Sequence, residues 1–355
     1  METSKVVVTK ESKNKISVDY EGKPSLKERL IRKFKASHTW VKIVINIFRF
    51  ILMLGVSYVI LFPFVSKVAG SFMSIEDVVD ATVSLIPKNP TVEIYYYLIT
   101  DNGYFEALGN TALLSLLQAL IQTFVSCLIG YGLAKFKFKG NNLVFILVIV
   151  VMIIPHGTLE HSMKHYFTQF DVMIPWSLDG GLSGLVELIA GKRIDITDTF
   201  WPYIIMSLGG LAFKNGLYIY LMRQFFKGVP DELEESAYVD GSGTFRTFLQ
   251  IILPLSVPMM ITVFLFSFSW SWTDIFYSNV FFSGANEAAP LLLPQIYEEV
   301  PLHLDNLYGD HSGMTLYKTV IDNTAGIMII APLVIMYLFC QRYLVQGIER
   351  SGLVG

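Results

Sequence analysis

Two histidines and a glutamate near the middle of the chain have the spacing of a candidate metal site. Glu160 precedes His161, and His165 follows four residues after His161, so on a helix both imidazoles would lie on one face and could ligate zinc. The residue order EHSMKH differs from the HExxH zinc pattern, and no third histidine has a fixed place beside the pair. An ordinary polar surface helix is the alternative, and we expect no metal site here.

Two tryptophans and an aspartate further along the chain have side chains suited to sugar binding. Trp270, Trp272 and Asp274 stand at the end of a long apolar stretch. Aromatic faces stack on sugar rings and a carboxylate accepts hydrogen bonds from hydroxyl groups, so these residues could line a path for a sugar. An aromatic belt at a membrane interface, with an acid at the water boundary, explains the same residues. The residues alone leave both interpretations open.

The sequence lacks a nucleotide-binding phosphate loop and a cysteine motif for metal binding. The sequence has no GxxxxGK[ST] phosphate loop, so we expect that this chain does not bind ATP itself. Cys127 and Cys340 lie inside apolar runs without CxxC spacing, which indicates helix packing rather than a disulfide or a metal site. We therefore expect no cofactor in this chain.

The composition is that of a membrane protein. Of the 355 residues, 53% are hydrophobic and 16% are charged, a more apolar balance than that of ordinary soluble domains. The net charge of −3 is too small to indicate nucleic-acid binding. Because a helix needs roughly 20 apolar residues to cross a bilayer, hydropathy predicts an all-α membrane protein with six transmembrane helices. The predicted spans are residues 44–65, 107–133, 143–154, 200–226, 259–276 and 325–344.

The distribution of charge predicts which loops face the cytoplasm. Lys135, Lys137 and Lys139 form a basic loop without acids after the second span, whereas residues 68–106 and 277–322 are predominantly acidic. Lysine and arginine are enriched on the cytoplasmic side of membrane proteins. We therefore expect a multi-pass protein of the plasma (inner) membrane with both termini in the cytoplasm.

The chain before the first span is expected to be a retained cytoplasmic tail. Residues 1–43 are polar, lysine-rich and too long for a cleaved signal peptide. Basic residues at the end of this tail could lie along anionic headgroups, and a simple positive-inside anchor is the alternative. These residues are Lys27, Arg29, Arg32, Lys33, Lys35 and Lys42. The remaining division is a first transmembrane helix at 44–67, a five-helix core at 107–344 and a cytoplasmic C-terminal tail at 345–355.

An acidic segment between the fourth and fifth spans, residues 228–256, predicts a helical hairpin on the cytoplasmic face. A helix is expected to start after Pro230, with Asp231 favourably placed at the positive end of the helix dipole. Gly241 and Gly243 then break this helix, and a second amphipathic helix follows. An ordinary connecting loop whose helices rest on the membrane is the alternative.

Within this hairpin, seven residues follow the spacing EAA-x3-G-x9-I-x-LP. They are Glu235, Ser236, Ala237, Gly241, Ile251, Leu253 and Pro254. Ser236 departs from the pattern by replacing one small residue with another. Further blocks are Asn110-Thr111, Ala134-Lys135-Phe136-Lys137-Phe138-Lys139-Gly140, Arg223-Gln224-Phe225-Phe226, Ser269-Trp270-Ser271-Trp272-Thr273-Asp274 and Gln341-Arg342-Tyr343-Leu344-Val345-Gln346-Gly347. Over most of residues 107–355 the chain resembles carbohydrate permeases of ABC importers of the maltose-transporter type, specifically the subunit without extra N-terminal spans.

This resemblance implies an ABC importer type I permease bundle whose hairpin carries a coupling helix. That helix would sit in a groove of a separate ATPase subunit, which binds the ATP. Glu235 would accept charge-assisted hydrogen bonds, Ser236 and Ala237 would permit close packing, and Gly241 would permit the sharp turn. The implied coupling residues are Glu235, Ser236, Ala237, Asp240, Gly241, Ile251, Leu253 and Pro254.

The resemblance also implies partners and a cargo. The partners are a second permease subunit in a heterodimer, two ATP-binding cassette subunits, an extracellular or periplasmic sugar-binding protein and membrane lipid, with no nucleic acid. The cargo is a sugar or an oligosaccharide, and the long outer segments 156–199 and 277–322 would contact the binding protein.

Two other functional classes compete with this hypothesis. A self-contained secondary carrier or channel would need intramembrane charge pairs, broken helices or inverted repeats, none of which hydropathy reveals. A membrane-embedded glycan-processing enzyme would need an acid/base or metal cluster, and the only candidate for one is the group of Glu160, His161 and His165. We expect that the chain is not an enzyme.

Overall fold

The computed structural model describes residues 8–11, 17–20, 37–170, 195–282, 290–296 and 314–350. Most of the predicted basic cluster in the tail lies outside these residues, as do large parts of the outer segments 156–199 and 277–322 and the last five residues. The cluster residues concerned are Lys27, Arg29, Arg32, Lys33 and Lys35. The chain forms two compact units, Met1–Ser66 and Lys67–Gly355.

The first unit contains a short β-hairpin and most of the first long helix. Strands β1 (Val8–Glu11) and β2 (Ser17–Tyr20) pair antiparallel, with Val8 opposite Tyr20. The sequence analysis did not predict these strands. Helix α1 (Ser37–Gly70) includes the predicted first span, residues 44–65. It is apolar around its whole circumference, as expected of a helix in lipid.

The second unit is a bundle of helices, and none of its described residues forms a strand. Before the hairpin the helices are α2 (Ile75–Val79), α3 (Glu93–Thr100), α4 (Tyr104–Lys135), α5 (Asn141–Ile153), α6 (Glu160–Thr168), α7 (Trp201–Leu208) and α8 (Asn215–Lys227). From the hairpin onwards they are α9 (Glu232–Val239), α10 (Thr244–Thr247), α11 (Leu253–Trp272), α12 (Phe276–Phe281) and α13 (Met314–Arg350). A π-helical turn, Phe248–Ile252, joins α10 to α11. The predicted helical membrane bundle is confirmed for this unit.

Four helices among the described residues are long and apolar enough to cross a membrane. They are Trp40–Gly70 in α1, Tyr104–Lys135 as α4, Thr244–Trp272 across α10 and α11, and Tyr317–Arg342 in α13. These overlap the predicted first, second, fifth and sixth spans, and the helix of the fifth span already starts at Thr244, well before the predicted residue 259. The fifth span ends at Trp272 rather than at residue 276, because Thr273 leaves the helical conformation.

The third predicted span is short and sharply bent at its end. Helix α5 has 13 residues, and the chain then turns by 93° into His156–Thr168. Pro155 stands at this turn, and a proline removes a backbone hydrogen bond and clashes with the preceding turn of a helix. The expectation that Pro155 limits the third span is confirmed.

The fourth predicted span, residues 200–226, is interrupted. Helices α7 and α8 are separated by residues 209–214. Within this break Gly210 has a φ of +68° and Lys214 a φ of +64°. A residue in the left-handed region cannot continue a right-handed helix. The uninterrupted helix predicted for this span is therefore corrected to two helices with a break.

Helix α4 is the element on which much of the second unit packs, since it contacts α7, α8 and α11. Its buried face carries polar residues at helical spacing. They are Thr111, Ser115, Gln118, Gln122 and Ser126. Gln122 bridges two helices, because its Nε2 donates to Ser207 Oγ at 3.4 Å and its Oε1 accepts from Ser267 Oγ at 2.7 Å. Polar contacts of this kind determine which helices pair in lipid, because apolar side chains pack equally well against lipid tails.

Helices α4 and α8 approach each other closely at Gly130. A Cβ atom at this position would lie 2.6 Å from the Cβ atom of Met222 and 2.9 Å from the backbone nitrogen of Arg223. Helices α5 and α8 meet similarly at Gly216, where a Cβ atom would lie 3.0 Å from the carbonyl oxygen of Val148. Small residues at such crossings allow backbones to pack directly against each other.

Replacing Gly130 should loosen this packing. Gly130→Ala is expected to destabilise the bundle by about 1–3 kcal/mol, the usual effect of overpacking, because α4 and α8 must move apart. Gly109→Ala in the same helix is the control, since its Cβ atom would meet nothing within 4 Å. The measurement is the apparent melting temperature of the purified protein in detergent. Equal melting temperatures for the two variants would contradict the close contact.

Candidate functional site

The predicted coupling hairpin, residues 228–256, begins at an anchor on the end of α4. Lys135 Nζ donates a hydrogen bond to the carbonyl oxygen of Val229 at 2.6 Å and pairs with the Asp231 carboxylate. This ammonium holds the pKa of Asp231 below its usual value, because it donates a hydrogen bond to the carboxylate. The side chain of Lys135 is buried, whereas that of Asp231 is exposed. The entry to the hairpin is therefore fixed to α4.

The turn after α9 is closed by backbone hydrogen bonds. The N–H of Gly241 donates to the carbonyl oxygen of Tyr238 at 3.0 Å, and the N–H of Ser242 donates to that of Ala237 at 2.9 Å. Gly241 has a φ of +81°, in the left-handed region that favours glycine. Gly243 has a φ of −79°, which any residue can adopt. Of the two glycines expected to break the helix, Gly241 is the one whose conformation requires glycine.

The motif residues of α9 divide into an exposed group and a buried one. Glu235, Ser236 and Asp240 are exposed, and the neighbouring Val239 is 87% exposed. Ala237 is buried. Carboxylates, a hydroxyl and an apolar side chain thus face outwards together. Such a mixed surface suits contact with a partner protein, since carboxylates accept strong hydrogen bonds and the apolar side chain supplies buried area.

The returning arm of the hairpin is packed into the core of the second unit. Phe248 and Ile252 are buried in one cluster with Tyr131, Met222 and Phe226. The ring centroids of Tyr131 and Phe248 are 4.7 Å apart. Tyr131 belongs to α4, and Met222 and Phe226 belong to α8. A displacement of the hairpin must therefore move the contacts between α4, α8 and the returning arm.

The hairpin is also continuous with the fifth span. The helix runs without interruption from Thr244 to Trp272, although Pro254 and Pro258 lie within it. A proline lacks the N–H that would bond one turn back, and the π-helical turn Phe248–Ile252 stands immediately before Pro254. Ile251 and Leu253 are half-buried here, and Pro254 is exposed. Motion at the hairpin is thereby connected directly to a membrane-crossing helix.

A second cluster lies at the interruption of the fourth span, and we call Phe213, Lys214 and Trp270 the break site. The Lys214 ammonium lies 4.7 Å from the ring centroid of Phe213 and 4.9 Å from that of Trp270. The two rings meet edge to face with centroids 5.6 Å apart. Within the described residues, Lys214 forms no ion pair with a carboxylate. A cation inside a membrane segment is costly, and cation–π contacts offset part of that cost.

The predicted sugar-path residues are divided by the structure. Trp270 belongs to the break site and is 45% exposed. Trp272 is 3% exposed, and its Nε1–H donates to the carbonyl oxygen of Ile329 in α13 at 2.8 Å. Trp272 thus packs in the core, away from the break site, because residues two apart on a helix point in roughly opposite directions.

Asp274, the third of these residues, lies just beyond the end of the fifth span. It lines a small cavity together with Gln118, Trp270 and Tyr277. Its Oδ1 accepts a hydrogen bond from the backbone N–H of Tyr277 at 3.2 Å, whereas Oδ2 and the Tyr277 hydroxyl have no partner among the described residues. Burial raises the pKa of Asp274 to about 7. Polar atoms without partners beside an aromatic site can receive a polar ligand or water.

The sequence analysis missed the break site itself. It assigned Phe213 and Lys214 to an uninterrupted helix and gave them no role. The signals present were the pair Gly209-Gly210 and a lone lysine inside an apolar run. The polar residues of α4 were also missed, although their spacing of three and four residues from Thr111 to Ser126 marks one helix face.

The histidine pair has the expected helical geometry. Glu160, His161 and His165 lie on α6 and are exposed. Among the residues that the structure describes, no group of three or more histidine, cysteine, aspartate or glutamate side chains is placed to hold a metal. Cys127 is buried and Cys340 is half-buried, and both are free thiols.

Relatives of this chain are found among transport proteins. Residues 122–350 match the family model described as binding-protein-dependent transport system inner membrane component. The arabinooligosaccharides transport system permease protein AraQ of Halalkalibacterium halodurans is 24% identical, over 84% of this chain and 93% of that protein. The polygalacturonan/rhamnogalacturonan transport system permease protein YtcP of Bacillus subtilis is 23% identical, over 87% of this chain and 97% of that protein. For the trehalose/maltose transport system permease protein MalG of Thermococcus litoralis the values are 25%, 86% and 97%.

A solved structure shares the fold. It belongs to a bacterial ABC transporter involved in the import of the acidic polysaccharide alginate, and it matches with a TM-score of 0.62 at 19% identity over 84% of this chain and 96% of that chain. The family match covers more than half of this chain and includes both the hairpin and the break site. The protein is therefore an integral membrane protein that belongs to the family of binding-protein-dependent transport system inner membrane components, a family of transporter permeases and not of enzymes.

Proposed function

We propose that this chain is the permease subunit that forms an oligosaccharide pathway in an ATP-driven importer and couples to a separate ATPase through residues 228–256. The observation that carries this proposal is the two-sided hairpin. One side of the hairpin exposes Glu235, Ser236 and Asp240, and the other side buries Phe248 and Ile252 against α4 and α8. A partner subunit that displaces the exposed side of the hairpin would therefore also move α4 and α8, by rigid-body motion.

The cargo proposal has support from the break site and from the relatives. Three relatives are named as permeases for arabinooligosaccharides, polygalacturonan/rhamnogalacturonan and trehalose/maltose. The break site offers two aromatic rings and an ammonium in an interrupted span, which suits sugar rings and their oxygen atoms. We propose that Trp270 and Lys214 contact the passing oligosaccharide, with Asp274 close to its path.

The proposed assembly contains a second permease subunit, two ATP-binding cassette subunits that bind the ATP, and an extracellular or periplasmic sugar-binding protein. One structure with the same fold, at a TM-score of 0.55, is an alginate ABC transporter in complex with an alginate pentasaccharide-bound periplasmic protein. We propose that both termini of this chain and its hairpin face the cytoplasm. Lys135, Lys137 and Lys139 at the end of α4 favour this orientation.

The interrupted fourth span bears on the rival hypotheses. A self-contained carrier would need a broken membrane helix, and such a helix is present at residues 209–214. The family, however, consists of components that act with a binding protein. We therefore interpret the break as part of the cargo path of a permease. The hypothesis of a membrane-embedded enzyme is inconsistent with membership of a family of transport-system components.

The coupling role predicts a sharp difference between two glutamates on one helix. Glu235→Lys should reduce oligosaccharide uptake at least about thirtyfold, the effect expected when a buried charge contact becomes repulsive. Glu232→Lys is the matched control, since Glu232 is an exposed glutamate in the first turn of the same helix. Uptake is measured with labelled oligosaccharide in vesicles that carry the permease with its partner subunits. Equal uptake by both variants would leave the hairpin as a connector only.

The turn provides a second matched pair. Gly241→Val should reduce uptake, because a β-branched residue at a φ of +81° strains the turn by about 1–3 kcal/mol. Gly243→Ala should transport normally, since its φ of −79° suits any residue. Membrane insertion is checked by surface labelling. Full activity of an inserted Gly241→Val variant would contradict the requirement for this turn.

The cargo path predicts opposite effects for two neighbouring tryptophans. Trp270→Ala and Lys214→Gln should each reduce uptake about tenfold, because each removes one contact with the sugar. Trp270→Ala should lower the melting temperature only slightly, since the side chain is 45% exposed and Lys214 keeps its contact with Phe213. Trp272→Ala should instead destabilise the fold by about 3–5 kcal/mol, since it empties a buried site. Trp201→Ala, at an exposed position on α7, is the control. If Trp270→Ala and Trp201→Ala transport equally well, the break site does not contact cargo.

A further inference from the structure

A groove at the basic end of α4 and α8 carries several cations without an acid. Lys137, Lys139, Arg223 and Lys227 line it, together with polar and aromatic residues of 133–142. The groove is an open depression at the protein surface rather than an enclosed cavity. We call these four residues and the space between them the basic groove. Like charges gathered in one place repel one another, so an anion in the groove would be favoured.

No carboxylate lines the basic groove or forms an ion pair with its cations within the described part of the chain. Asp231 is near enough to feel the charge of Lys137, but it is already paired with Lys135. The charges of the groove are therefore left without a counter-ion from the described residues.

Arg223 gives an independent indication of a ligand. It is 7% exposed, and its guanidinium carbon lies 3.7 Å from the ring centroid of Phe145. Its Nε–H has no hydrogen-bond partner among the described residues. A buried Nε–H without an acceptor is unfavourable. The planar guanidinium matches the geometry of a phosphate group, which could supply that acceptor.

The surroundings of the groove are apolar on one side. Phe136 and Phe138, on the loop that forms the groove, are 44% and 47% exposed. Helix α5, which follows directly, has no buried residue and exposes Leu143, Ile146 and Leu147. An occupant with an anionic head and a hydrocarbon tail would satisfy both the cations and this apolar surface.

We propose that the basic groove binds the headgroup phosphate of an anionic phospholipid, whose acyl chains lie along Phe136, Phe138 and α5. Arg223 donates to the phosphate from within the bundle, and Lys137, Lys139 and Lys227 surround it from the loop and the end of α8. A bound lipid would fasten the α4–α5 loop to α8, next to the anchor of the coupling hairpin at Lys135. An acidic surface of a partner protein is less suitable, because the groove adjoins the exposed apolar residues Leu143, Ile146 and Leu147 of α5.

The test compares two double variants of equal charge. Lys137→Gln/Lys139→Gln removes two cations of the groove, whereas Lys164→Gln/Lys318→Gln removes two exposed lysines elsewhere. Full-length protein, freed of lipid in detergent, is titrated with phosphatidylglycerol or phosphatidylcholine, and lipid retention is measured by native mass spectrometry together with the melting temperature. We expect phosphatidylglycerol alone to be retained and to stabilise the native protein. The groove variant should bind it at least about tenfold more weakly, and the control variant should bind it normally.

Three results would overturn the proposal. Equal weakening in both double variants would indicate a general charge effect rather than a site. Equal stabilisation by glycerol 3-phosphate would indicate a site for a free anion and not for a lipid. If the groove variant retains phosphatidylglycerol normally but no longer binds purified ATPase subunits, the groove docks a protein. Because the lipid titration needs no transport, its result is independent of the proposed transport function.

Discussion

The direct contact between α4 and α8 at Gly130 is the constraint on which the rest of the permease body depends. With no side chain at this position, the two helix backbones come close enough for Cys127, Tyr131, Met222 and Phe226 to share one cluster. Lipid competes equally well for apolar surfaces, so close packing and polar contacts must hold membrane helices together. Gln122 adds such a polar contact on the same helix. The arm of the hairpin then finds a preformed surface on which to pack.

The hairpin converts this packing into a mechanical connection. Its entry is tied to α4 through Lys135, and its exit is helical up to Trp272. The exposed carboxylates of α9 are therefore joined to the membrane helices by two routes, one polar and one apolar. An element that both faces a partner and extends into the membrane is what transfer of motion between subunits requires. The basic groove lies beside this connection, where a lipid would stabilise it.

The break at residues 209–214 places interrupted backbone and a cation within a span, and the structure offsets the resulting free-energy cost only in part. Interrupted backbone at membrane depth is tolerated where protein or a water-filled path surrounds it. Here the break ends in Lys214, a left-handed residue at the start of α8, where a cation is disfavoured by the helix dipole. Contacts with Phe213 and Trp270 stabilise the ammonium. Local strain and charge at one point in a span are typical of functional positions.

The sequence by itself determined the membrane class, the approximate positions of the long spans and the hairpin, because these depend on hydropathy, charge and the spacing of glycine and proline along the chain. It also placed Gly241 at a turn, since a left-handed residue there favours glycine. Only the tertiary structure distinguished Trp270 from Trp272, because their roles depend on which side of α11 faces α13. It also brought Lys214 to Trp270 and Lys137 to Arg223, residues far apart in sequence. Such sites arise where helices pack, and local sequence patterns do not encode which helix faces meet.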